Sequence, residues 1–177
     1  MMMNQVHGIG VVTIDSSEAS QPTADAMVTA QPNLALVIKH ADCQPCLLFD
    51  PEHSVIGVAH SGWRSSCQNI YKATVEHMQS QFGTKAERLL ACIGPSLGPC
   101  HAEFIHWRDE FPPSFEPFLC QNNHFDFWAI SHHQLRACGL KDENIEIAKV
   151  CTRCHPESFC SHRFNKISAR NVTFIAL

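Results

Sequence analysis

The sequence predicts a single mixed α/β domain. Three observations carry that prediction: short apolar runs separated by Pro-, Gly- and Asp-containing turns, stretches whose apolar residues recur at helical spacing, and a length of 177 residues that suits one core. No repeat, low-complexity tract or linker divides the chain.

Residues 1–14 alternate through Val6, Ile9, Val11, Val12 and Ile14 and read as a strand after a turn at Gly8. Residues 15–24 are small and polar, a loop. Ala26 to Thr29 is a short strand, and Leu34-Ala35-Leu36-Val37-Ile38 is apolar throughout, as a central strand would be. Two further runs, Leu47-Leu48-Phe49 and Val55-Ile56-Gly57-Val58, flank a turn at Asp50-Pro51 and form a strand pair. From Arg64 to about Phe82, Ile70, Ala73, Val75 and Met78 predict a helix stopped by Gly83. Leu89 to Ile93 is a buried strand ending in a Gly- and Pro-rich loop through Pro99. Glu103 to Phe111 is a short helix, 112–125 irregular, and Asp126 to Cys138 a helix closed by Gly139. Ile145 to Ala148 is a strand, and the β-rich tail from Asn171 to Leu177 closes the sheet.

The formal charge of −4, without a basic block, argues against nucleic acid or an anionic membrane as the main partner. No apolar run approaches the roughly 18 residues of a membrane span. The start lacks the basic and apolar regions of a signal peptide, so the expected location is cytoplasmic. There, ten cysteines stay reduced and are explained by metal binding or burial, and twelve histidines raise the prospect of metal chemistry.

The strand pair carries Cys43 and His60 to one rim of a sheet, with His7 a third candidate near the chain start. Two imidazoles and one thiolate suit zinc, and three protein ligands leave a fourth position for water. Zinc brings that water's pKa down to about 7. Many other His/Cys triples are possible in this composition.

Gln5-Val6-His7-Gly8, Ala24-Asp25-Ala26-Met27-Val28-Thr29, Ala41-Asp42-Cys43-Gln44-Pro45 and Ala59-His60-Ser61-Gly62-Trp63-Arg64 resemble successive motifs of the YfiH family, also called the laccase-domain or polyphenol oxidase family. Ile93-Gly94-Pro95-Ser96 with Cys100 and Glu103, then Cys151-Thr152, Ser161-His162-Arg163 and Ala169-Arg170, extend the resemblance over nearly the whole chain. It implies a layered α/β fold of two packed sheets flanked by helices. It implies that His7, Cys43 and His60 are the metal ligands. It also implies a zinc-dependent cytoplasmic enzyme acting on small purine nucleosides: phosphorolysis of adenosine, inosine, guanosine and methylthioadenosine, and deamination of adenosine. Copper-dependent oxidation of phenols is the alternative. Family members usually carry a substantial segment before the first His motif, whereas here that motif opens at Gln5. The expectation is therefore one domain over 1–177 without that segment, and a non-catalytic member with an incomplete site is a third reading.

Phosphorolysis needs an anion site. Arg64, near the predicted helix start, is the first candidate to hold phosphate, with a surface pairing to a carboxylate as its alternative; Arg163 is the second, and its alternative is to tie down the C-terminal segment. Asp42 either orients a ligand histidine or caps a turn. Trp63 is expected to pack rather than stack a base, and Glu103 to be exposed rather than a general acid. His124, His132 and His133 are surface residues without a role.

Two other metal patterns compete. Cys151-Thr152-Arg153-Cys154-His155 matches the haem c attachment motif, but haem c is attached outside the cytosol. Cys43/Cys46 with Cys151/Cys154 offers two Cys-x-x-Cys pairs, separated by far more than a zinc ribbon's spacing. Cys67, Cys138, Cys154 and Cys160 read as small buried apolar residues. A multicopper centre needs His-x-His pairs, and the chain has none.

Overall fold

The computed structural model describes residues 1–16, 18–166 and 169–177; Ser17, within the expected 15–24 loop, lies outside them. Among the described residues eight strands are formed: β1 (Val11–Thr13), β2 (Ala26–Thr29), β3 (Ala35–His40), β4 (Gln44–Asp50), β5 (Val55–Ser61), β6 (Leu90–Ile93), β7 (Ile145–Ile147) and β8 (Asn171–Ala176). Six of them make one mixed sheet in the order β1-β2-β5-β4-β6-β7, and β3 pairs with β8 in a second, two-stranded sheet.

The expected strand pair is the centre of the large sheet. β4 and β5 run antiparallel from Gln44 opposite Ser61 to Asp50 opposite Val55. Their turn is held by Asp50, whose Oδ1 accepts the N–H groups of Glu52 and His53 and whose Oδ2 lies 2.9 Å from His53 Nδ1. Every residue of β5 is buried because both of its faces are covered. On one face the helix α2 (Ile70–Phe82) lays Ile70, Tyr71, Val75 and Met78 against Val28, Leu48 and Ala59. On the other, Leu36 and Ile38 of β3 meet Met27, Ile56 and Val58. Alternation along the strand then puts His60 on the face of Ile56 and Val58. The result is the layered α/β architecture expected, two packed sheets with helices outside.

Several elements depart from the sequence reading. The Leu34–Ile38 run is not a central strand: β3 pairs only with β8 among the named strands, and its residues alternate in burial. The tail likewise extends this small sheet instead of closing the large one. An apolar run signals burial, and here burial comes from stacking on another sheet. The long helix after Arg64 is two helices, α1 (Trp63–Cys67) and α2, broken where Asn69 takes a left-handed backbone (φ 61°) and caps α2 by accepting the Lys72 N–H. Gly83 ends α2 at φ 72°, as expected. Between Glu103 and Phe111 only one turn is helical, α3 (Trp107–Glu110). α4 (Phe127–Ala137) starts at its Asp126 cap, and Gly139 follows with φ 100°. α5 (His162–Asn165) is a single turn capped by Ser161.

The segment before His7 is docked along β3. The Gln5 side chain mimics a strand neighbour, donating to the Lys39 carbonyl at 2.7 Å and accepting the Lys39 N–H at 3.0 Å. Met2 bridges Val37 alongside it.

Candidate metal centre

His7, Cys43 and His60 converge. Their donor atoms all lie within 4.8 Å of one another, and the two imidazole rings meet edge to face with centroids 4.9 Å apart. The β4–β5 pairing sets Pro45 opposite His60, which brings Cys43, just before β4, beside the histidine. His7 arrives from the docked N-terminal segment with a left-handed backbone (φ 59°), a conformation a non-glycine residue adopts at some cost.

Asp25 meets that cost. Fully buried at the start of β2, it accepts the consecutive N–H groups of Val6, His7 and Gly8 at 3.1, 2.9 and 2.7 Å. Its Oδ1 also lies 2.9 Å from His60 Nδ1. One carboxylate therefore shapes the loop that presents His7 and fixes the ring of His60, leaving Nε2 as the donor toward Cys43. Sequence reasoning overlooked Asp25. The available signal was an acidic residue directly before an apolar strand, Ala26-Met27-Val28, where only a satisfied carboxylate is tolerated.

The three groups tune one another. Burial works to raise the Asp25 carboxyl, but the His60 ring and the three backbone donors hold it below its usual value. Burial would depress His60; the Asp25 and Cys43 partners outweigh it and raise the imidazole to about 9. Burial likewise opposes the Cys43 thiolate, and His60 and His7 bring that thiol down to about 7. A thiolate flanked by two imidazoles is a soft donor set suited to zinc or copper. The space between the ligands depends on Gly62: a Cβ there would stand 2.8 Å from His7 Cδ2 and 3.1 Å from Cys43 Sγ. These residues fit a metal ion with three protein ligands.

The cluster lies in a cleft of about 760 Å³, walled by Trp63, Phe104 and Phe127 and rimmed by Arg64, Arg163 and Arg170. Arg64 is exposed, its guanidinium 4.1 Å over the Trp63 ring, with no carboxylate partner among the described residues. Arg163 is partly committed, since its Nη1 donates to the Glu103 carbonyl at 3.0 Å. The five-residue α1 is too short for its dipole to make an anion site, so any anion here is held by the guanidinium groups themselves. Trp63 packs as expected, its ring 5.8 Å from Phe111 and 6.2 Å from Phe104, while also lining the cleft.

Asp42 has neither expected role. Its carboxylate accepts the Thr152 hydroxyl at 2.7 Å and the Arg163 N–H at 2.6 Å, tying the Thr152 turn and the start of α5 to the Cys43 turn. His40, also in the cleft wall, is buried with Nε2 2.9 Å from the Thr173 hydroxyl. Burial first, and His60 second, push its imidazole down to about 4, so it is neutral at ordinary pH. Glu103 is exposed, as expected. His133 is exposed, whereas His124 and His132 are half-buried. The Cys43/Cys46 and Cys151/Cys154 pairing is not formed: Cys46 is fully buried in the core on β4, away from the thiol of Cys43. Nor is Cys154 buried; it is exposed, and Cys67, Cys138 and Cys160 are only half-buried.

Fold and site together define a layered α/β domain with a His/Cys/His cluster at the floor of a cationic cleft. The chain belongs to the family described as multi-copper polyphenol oxidoreductase laccase, which it matches over residues 1–177. It is similar to a protein of Bacteroides thetaiotaomicron named purine nucleoside phosphorylase, 33% identical over 78% of this chain and 55% of that protein. A protein of the same name from Xylella fastidiosa is 32% identical over 97% of this chain and 69% of its own length. A protein named adenosine deaminase, from an unknown prokaryotic organism, is 33% identical over 85% of this chain and 60% of itself. The chain thus spans between about half and two thirds of the length of these relatives. The crystal structure of the Bacillus licheniformis hypothetical protein YfiH superimposes with a TM-score of 0.90 at 25% identity, covering 99% of this chain and 73% of that one. No helix among the described residues is long and apolar enough to cross a membrane.

Proposed function

We propose that this domain, residues 1–177, is a zinc-dependent purine nucleoside enzyme, carrying out phosphorolysis of adenosine, inosine, guanosine or methylthioadenosine and deamination of adenosine. The observation that carries this reading is the convergence of three N and S donors at the base of a cleft whose rim is arginine. His7, Cys43 and His60 hold the metal, which when bound supplies Lewis acidity and a water of lowered pKa. The names of the relatives support the substrate class.

The chain's own groups divide the remaining tasks. Trp63, Phe104 and Phe127 give the purine an apolar wall. Arg64, with Arg163 beside it, grips phosphate through its guanidinium fork, holding the attacking oxygen near the anomeric carbon as the glycosidic bond breaks. Asp25 keeps the His60 ring in one tautomer, and Asp42 keeps Arg163 and the Thr152 loop in place around the cleft. The bound partners are small molecules, with no role for nucleic acid or a membrane, and the setting is cytoplasmic.

Copper-dependent phenol oxidation is the second reading, favoured by the family's description and by a soft trio that copper can occupy. Product analysis with metal analysis separates the two. Adenine formed only with phosphate, or inosine formed without it, together with one zinc per chain fewer in Cys43→Ala than in the wild type, supports the nucleoside enzyme. Phenol turnover that tracks copper content overturns it, and no turnover with an empty site would identify a non-catalytic member.

A further inference from the structure

A second cluster lies outside the cleft. Cys100, His101, Cys151 and Cys154 place one donor atom each within 4.8 Å of all the others. Cys100 Sγ is 3.5 Å from Cys154 Sγ, and His101 Nδ1 is 3.4 Å from Cys154 Sγ and 3.8 Å from Cys151 Sγ. Zinc bonds of about 2.3 Å to sulfur and 2.0–2.1 Å to nitrogen, set tetrahedrally, require ligand–ligand edges of roughly 3.5–3.8 Å. The three separations of 3.4–3.8 Å lie close to those edges, and the remaining donor pairs stay within 4.8 Å.

The backbone around the cluster is built for close approach. Residues 96 and 151 form a bridge, with the Ser96 N–H donating to the Val150 carbonyl and the Thr152 N–H to the Ser96 carbonyl. The Gly98 N–H donates to Cys151 Sγ at 3.3 Å, the kind of contact that offsets charge on a ligating thiolate. A Cβ at Gly98 would stand 2.7 Å from the Trp128 ring and 3.1 Å from Cys151 Cβ. The Cys154 N–H closes a turn onto the Cys151 carbonyl, so the Cys-x-x-Cys pair points both sulfurs the same way.

We infer that Cys100, His101, Cys151 and Cys154 form a structural zinc site. Four protein donors fill a tetrahedral shell and leave no position for substrate, unlike the three-donor cluster in the cleft. The ion staples the 96–101 loop to the 151–154 turn. Both grip Asp42, through the Leu97 N–H on its carbonyl at 2.8 Å and the Thr152 hydroxyl on its carboxylate at 2.7 Å. The second site therefore braces the cleft wall next to Cys43 without taking part in its chemistry. The cysteines bind as thiolates, releasing their protons on zinc uptake.

The test is metal content by elemental analysis, with protein prepared under thiol reductant and zinc. Two zinc ions per chain are expected in the wild type, and one in each of Cys43→Ala and Cys154→Ser. Cobalt loaded into Cys43→Ala should give the visible bands of a tetrahedral ion and a thiolate charge-transfer band, which do not depend on how the Cys154 variant folds. Cobalt uptake by Cys43→Ala without those bands would overturn the site. So would a wild-type zinc content unchanged by Cys154→Ser, or a Cys100–Cys154 disulfide in the reduced preparation.

Discussion

The Asp25 carboxylate sits 2.9 Å from Nδ1 of His60, thirty-five residues further along the chain, and the same side chain closes the loop that presents His7. Two of the three expected metal ligands are thus oriented by one buried acid. Removing it acts on both. Asp25→Asn should weaken zinc affinity about 10- to 100-fold, read by competition with a chromophoric chelator. Asp25→Ala should also lower stability by about 1.5–3 kcal/mol through the lost hydrogen bonds to a charged carboxylate, measured by urea unfolding.

Gly62 tests the metal site sterically. Its missing side chain leaves room for His7 and Cys43, so Gly62→Ala should lose the cleft metal while the far-ultraviolet circular dichroism stays native. Retention of wild-type zinc affinity would show that His7 can step aside.

Arg64 tests the anion site. A bidentate charged contact to phosphate contributes about 1.5–3 kcal/mol, so Arg64→Ala should raise the KM for phosphate by about 10- to 100-fold. The loss in phosphorolysis should exceed that in deamination, where no phosphate takes part. Equal losses in both would place Arg64 in base or ribose binding.

Asp50 gives a pH dependence remote from the metal. Burial works to raise its carboxyl, but the Thr84 hydroxyl nearby, the His53 ring and the N–H groups of Glu52 and His53 hold it below the usual range. A carboxyl depressed in the folded state stabilises above its unfolded pKa of about 4, and that contribution disappears as pH falls through the folded value. Asp50→Ala should therefore be less stable than wild type by about 2 kcal/mol at pH 7. The gap should narrow steadily in more acidic solution, as followed by urea unfolding across pH.

Much of the site was legible from residue order. The apolar runs on either side of Asp50-Pro51 set a hairpin, and a hairpin's register fixes which residues share an end, so Cys43 and His60 could be brought together without coordinates. Gly83 and Asp126 marked helix ends through local backbone and capping chemistry. Asn69 carried the same kind of signal, but continuous apolar spacing across it hid the break.

What the sequence determined by itself was local: strand and helix segments, the central hairpin, and through its motifs the His7, Cys43 and His60 trio. What only the tertiary structure decided was which distant segments face one another. Periodicity records that Leu36 and Ile38 are buried, not that they are buried against Ile56 and Val58 of another sheet. It cannot show that Asp25 reaches His60, that Asp42 holds Thr152 and Arg163, or that Cys100 and His101 meet Cys151 and Cys154. Those contacts are set by how layers stack and loops close in three dimensions, and that depends on the whole core packing at once.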